Sequence, residues 1–181
     1  MKKVPLLLAA TATLGLSALA YPAQAQSIGE KTGVNSLTGT APSTADFVKE
    51  AAISDMFEIE AGKLAQQKGS PEIRAFASHM IEDHSKTTTE IKKLVQSGDV
   101  KAELPTALDP SHQAKLDKLK TLRGDDFNKT YDDSQKAGHK DAASLFERYA
   151  NGGENPKLKE FAGKTLSTIQ DHQKMAENLK P

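Results

Sequence analysis

One phrase occurs twice in this chain, and no other feature limits the fold as much. The first copy reads Pro71-Glu72-Ile73-Arg74-Ala75-Phe76-Ala77, followed by Asp83-His84. The second reads Pro156-Lys157-Leu158-Lys159-Glu160-Phe161-Ala162, followed by Asp171-His172. Each is preceded by an apolar-Phe-Glu triplet, Met56-Phe57-Glu58 and Leu145-Phe146-Glu147. The pattern describes two related helical hairpins, each with a Glu on its first helix and an Asp-His pair on its second. The step from Phe-Ala to Asp-His differs by three residues between the copies. That is nearly one helical turn, so His84 and His172 keep similar facings. Hairpins that aim Glu and His inward are how helical bundles build metal sites.

Helix punctuation agrees with the repeat. A first long helix is expected from near Thr44–Asp46 to Gly69-Ser70. Ser70 then caps a second helix that has Pro71 at its favoured first position and ends at Ser97-Gly98. Its buried stripe runs Ile73, Ala77, Met80, His84, Thr88, Ile91 and Val95, in alternating steps of four and three. A connector containing Pro105 leads to a short helix opened by Asp109-Pro110 and closed at Arg123-Gly124. Asp125 is the expected cap of the third long helix, with the face Phe127, Tyr131, Gly138, Ala142, Leu145 and Tyr149. Asn151-Gly152-Gly153 ends it, and Asn155-Pro156 opens the last helix, with the stripe Leu158, Phe161, Thr165, Ile169, His172, Ala176 and Leu179. The expected fold is all-α. Two related hairpins, with a short extra helix in the middle crossover, form a ferritin-like four-helix bundle over 44–181.

The start of the chain reads differently. Lys2 and Lys3, the apolar run Leu6 to Ala20 and the small-x-small Ala23-Gln24-Ala25 describe a cleaved signal peptide over 1–25. That run is too short for a transmembrane helix, and no later segment approaches membrane-span length. Residues 26–43 are rich in Gly, Ser and Thr without periodicity, and are expected to be a flexible tether. The expectation is an exported protein, periplasmic in the first place, with outer-membrane association or secretion as alternatives. Of 24 basic and 24 acidic residues, the signal carries two lysines, leaving 22 against 24 in the mature chain. So balanced a charge argues against a nucleic-acid partner. No cysteine is present, which excludes disulfides, thiolate metal sites and thiol catalysis.

His84 and His172 occupy stripe positions where a core-facing helix normally places Leu. His139 lies beside the third helix's stripe, on a face with Gln135 and Ala142. Glu58 shares a face with Phe47, Ala51, Gly62 and Ala65. The candidate metal ligands are therefore Glu58, His84, His139 and His172, with Glu147 as a further candidate. Such a set suits a divalent zinc, iron or copper ion. Asp83 and Asp171 qualify as supporting partners only where a neighbouring helix brings an imidazole to them, because adjacent residues do not face each other. Di-iron carboxylate bundles use Glu-x-x-His on two helices, whereas Ile81 and Ile169 stand three residues before His84 and His172. A dinuclear oxygen-activating centre of that type is not expected. His79 falls off the stripe and His112 starts a short surface helix. No Ser-His-acid arrangement or phosphate loop is present.

Several of these segments together resemble a bacterial family, domain-of-unknown-function family 4142. They are Phe47-Val48-Lys49-Glu50-Ala51-Ala52, Phe57-Glu58-Ile59-Glu60 with Gly62-Lys63-Leu64-Ala65, Phe76-Ala77 with Met80 and Asp83-His84, and Phe161-Ala162 with His172. The likeness covers about 46–179. It implies a secreted or periplasmic ferritin-like bundle and carries Glu58, His84, His139 and His172 as family positions, but implies no activity. Two functional readings follow. In the favoured one the histidines are polar core residues of a non-enzymatic envelope protein, stress-related in role, that binds an envelope partner or acts as a scaffold. In the other they hold a metal for binding or redox chemistry.

Overall fold

The computed structural model describes residues 27–31 and 33–180, and every regular element among them is a helix. They are α1 (Ile28–Lys31), α2 (Val34–Thr38), α3 (Thr44–Lys68), α4 (Pro71–Gln96), α5 (Pro110–Thr121), α6 (Gly124–Gly152) and α7 (Pro156–Glu177). The signal segment expected over 1–25 lies outside the described residues.

The duplicated phrase is at bottom a duplicated helix start. Ser70 accepts a hydrogen bond from the Ile73 backbone N–H, and Asn155 accepts one from Leu158 N–H. In both helices a proline takes the first turn, where an N–H would have no partner. Each cap closes a tight turn, so α3 folds back on α4 and α6 on α7. The two hairpins then pack α3 against α6 and α4 against α7, with α5 laid across α3 and α6. Gly62 is a point of close approach, where an added Cβ would lie 2.7 Å from Ile81 Cγ1 of α4.

Two expectations require correction. Asp125 does not cap α6, which starts at Gly124 with Arg123 before it and no side-chain cap. Gly124 makes the turn in the left-handed region (φ 56°), and Asp125 instead sits in the first turn, where its charge suits the helix dipole. The segment expected as a flexible tether also carries structure. It contains α1 and α2, and Glu30 is buried in a two-pronged pair with Arg148 of α6, at 2.6 and 3.1 Å. Arg148 further donates to the Thr40 carbonyl at 2.8 Å, and Ser27 N–H donates to Asp46 at 3.0 Å. One charged residue in an aperiodic stretch gives no periodic signal, so a partner 118 positions away is invisible in the sequence.

The buried side chains form two apolar clusters. One gathers Phe47, Ile91, Phe146, Tyr149, Phe161 and Ile169. The other gathers Phe57, Ile73, Met80, Leu119, Phe127 and Tyr131. On each long helix the boundary between them is marked by buried polar groups: Asp55 and Glu58 on α3, His84 on α4, Gln135 and His139 on α6, His172 on α7. A polar belt therefore crosses the bundle between two oily halves.

Candidate metal centre

Three helices each send one histidine into this belt. The ring centroids of His84, His139 and His172 stand 5.3 to 5.7 Å apart. All three residues are buried, and one ring nitrogen from each lies within 4.8 Å of the other two.

Each ring is held from behind by a group that only accepts. His84 Nδ1–H donates to Asp55 Oδ1 at 2.8 Å, and His139 Nδ1–H to the Gln135 carbonyl at 2.9 Å. His172 Nε2–H donates to Asp83 Oδ2 at 3.1 Å. A carboxylate or carbonyl fixes the proton on the nitrogen that faces it, so the opposite nitrogen of a neutral ring carries a lone pair. Those opposite nitrogens are His84 Nε2, His139 Nε2 and His172 Nδ1, and each is buried without a hydrogen-bond partner. Ligating histidines commonly donate their other ring N–H to a carboxylate or carbonyl, which sets tautomer and orientation. Asp55 is itself braced, accepting from the hydroxyls of Thr87 at 2.8 Å and Thr88 at 3.1 Å. A cavity of about 20 Å³, lined by Asp55, Phe146 and Ile169 among others, adjoins the rings of His84 and His172. That is room for one water-sized molecule.

The remaining candidates fall out as follows. Glu58 is buried in the belt, where its Oε2 accepts from Gln135 Nε2 at 2.7 Å, beside the histidine trio but outside it. Glu147 is exposed and lines a surface groove with Ser36, Ser144 and Arg148. It lies eight residues beyond His139, about 12 Å along the helix axis. The two triplets are not equivalent in space, because Phe57 and Phe146 belong to different apolar clusters. Asp171 is exposed and pairs with Lys174, whereas Asp83 does reach an imidazole of the other hairpin. Asp55 was missed by sequence reasoning. Its position four residues after Ala51 and three before Glu58 was the available signal, since that spacing shares the Glu58 face. Ile81 and Ile169 stand where the di-iron pattern needs carboxylates, and Ile169 packs within an apolar cluster.

Electrostatics separates the three rings. Burial pushes the His172 pKa down to about 4, only partly opposed by Asp83. Burial likewise lowers that of His139, against the charge of Glu58. For His84 burial also disfavours the charged ring, yet the hydrogen bond and charge of Asp55, with Glu58 and Asp83 behind, hold its pKa above the ordinary value. In the unfolded chain each histidine takes up a proton near pH 6.5. Folded His172 resists protonation down to about 4, so its contribution is complete above pH 6.5 and is lost as pH falls towards 4. His139 acts in the same direction. His84 acts oppositely, its contribution being present below pH 6.5 and lost as pH rises through its folded pKa. The His172 shift alone removes about 3 kcal/mol from the metal-free protein between pH 7 and 4, with His139 adding to that loss and His84 opposing it. His172→Asn should flatten that decline in urea titrations. An unchanged slope in the variant would contradict a buried neutral His172.

These features define a class: an all-helical bundle protein with a buried histidine trio, two of its rings braced by carboxylates and the third by a backbone carbonyl. The family model described as Domain of unknown function (DUF4142) matches residues 29–179, and the chain belongs to that family. No curated protein and no solved structure matches the chain.

Proposed function

We propose that this protein is an exported, ferritin-like four-helix bundle that binds one divalent transition metal ion through His84 Nε2, His139 Nε2 and His172 Nδ1. Zinc, iron and copper all suit imidazole ligands. One observation carries the reading: three neighbouring rings, each with a ligand atom within 4.8 Å of the others, have one buried nitrogen without a partner while the opposite nitrogen is braced by an acceptor. Read as core packing alone, each of these nitrogens is an unmet acceptor costing about 1–3 kcal/mol. An ion would satisfy all three. Nitrogens around zinc at ~2.0–2.1 Å stand ~3.4 Å apart, so from separations within 4.8 Å each pair needs to close by about 1.4 Å at most. The water-sized cavity leaves space for a fourth, small ligand, and Glu58 adds buried negative charge nearby. Export to the periplasm is part of the proposal and rests on the charged start, apolar run and Ala23-Gln24-Ala25 of the sequence.

Metal content and melting of chelator-stripped protein test the proposal. The wild type should take up one equivalent of zinc, cobalt or copper and melt at a higher temperature in its presence. No uptake, with unchanged melting across these ions, would return the histidines to the role of polar core residues in a scaffold.

A further inference from the structure

His172 has a second nitrogen, and its surroundings form another ligand set. Asp83 Oδ2 lies 3.1 Å from His172 Nε2 and 3.4 Å from His79 Nε2. His79 and Asp83 are one turn apart on α4, and the His79 ring stands 5.6 Å from that of His172. One ligand atom from each of the three lies within 4.8 Å of the others. Two imidazoles and a carboxylate suit zinc-class ions, whose ligand atoms stand about 3.3 Å apart, close to the spacing already present. Lys86 engages the other carboxylate oxygen, Oδ1, at 3.0 Å and leaves Oδ2 to the two rings. The trio spans the wall of the bundle, with the His79 side chain half-exposed, that of Asp83 at 18% and that of His172 at 3%.

We propose that His79, Asp83 and His172 form an outer cation site through which the ion reaches the buried trio. Its role as an entrance rests on the inner-site reading above. A neutral imidazole has one N–H and one lone pair. With the ion outside, His172 ligates through Nε2 and keeps its proton on Nδ1. With the ion inside, Nδ1 ligates and the proton sits on Nε2, donated to Asp83. The ring therefore serves one position at a time. Handover moves a single proton from Nδ1 to Nε2 and leaves the proton count of the ring unchanged. Asp83 ligates the outer ion, then braces the ring that holds the inner one.

Zinc equilibrium dialysis and stopped-flow loading test this on four proteins: wild type, His79→Ala, His84→Ala/His139→Ala, and the triple variant. The double variant keeps only the outer trio and should bind one zinc more weakly than wild type, and the triple variant should bind none. His79→Ala should reach the wild-type stoichiometry of one, but load several-fold more slowly. No zinc on the double variant, or zinc that survives in the triple variant, overturns the outer site. Equal loading rates overturn its role as an entrance. If His79→Ala abolishes all binding while the double variant retains it, the inner-site reading fails and the outer site stands. Circular dichroism reports folding, and His139→Ala, which strands no carboxylate, replaces the double variant if that one is unfolded.

Discussion

Replacing His139 by alanine is expected to erase the main stabilisation by zinc while leaving the metal-free bundle folded. Free zinc at a hundred times its dissociation constant adds about 2.7 kcal/mol to the native state. In a domain of this size that raises the melting temperature by about 5–10 °C. His139 is the cleanest of the three proposed ligands to remove. Its Nδ1–H bonds only to the Gln135 carbonyl, which lies one turn earlier on the same helix and retains the helical bond from the residue 139 N–H. No buried charge loses its partner. Apo His139→Ala should therefore cost about 1–2 kcal/mol for the emptied volume. Calorimetric scans with and without zinc separate the outcomes. A variant that keeps the wild-type zinc shift would remove His139 from the ligand set, and one that fails to fold without metal would make its role structural.

Asp55 should behave in the opposite way. Asp55→Ala is expected to destabilise the metal-free protein by about 3–5 kcal/mol, because it leaves His84 and two threonine hydroxyls of α4 without their common acceptor. Asp55→Asn should cost far less, about 1–2 kcal/mol, since its amide oxygen still accepts from His84 while rotating hydroxyls accept from the amide. The asparagine lacks the charge that raises the basicity of His84, so zinc affinity should fall about 10–100-fold. Urea unfolding and zinc titration read these two effects separately. An Asp55→Ala variant within about 1 kcal/mol of wild type would mean that the carboxylate is not a buried anchor.

Much of this arrangement was legible in the sequence, for identifiable reasons. Ser70-Pro71 and Asn155-Pro156 announce two helix starts through cap chemistry that acts within three residues, so the hairpins could be placed without tertiary information. His84 and His172 stand out because polar residues interrupt periodic apolar stripes. His139 was found beside its stripe, and the structure brings it to the other two. Asp55 escaped notice because it sits among Ala51, Ile53 and Phe57, where an isolated acid resembles a solvent-facing residue. Its value comes from α4, and no local pattern encodes which helix will face it. Glu147 misled in the reverse direction. Repetition of a triplet implied equivalence, but the two copies lie in different apolar halves of the bundle. Repeated sequence preserved the helices and not their height along the bundle.

The pairing of Glu30 with Arg148 bears on what the smallest self-sufficient piece of this protein is. Hydropathy alone places the natural beginning at Thr44, the first residue of the first long helix. Yet Glu30 and the Thr40 carbonyl, the groups that receive the Arg148 guanidinium, both lie upstream of that point. A fragment trimmed to start at Thr44 would lose every group shown to receive the Arg148 guanidinium, together with the segment that packs over it. The inherited unit is therefore longer than its periodic core. Its opening segment behaves less like a leash than like the last stave of a barrel, without which the others stand but do not seal.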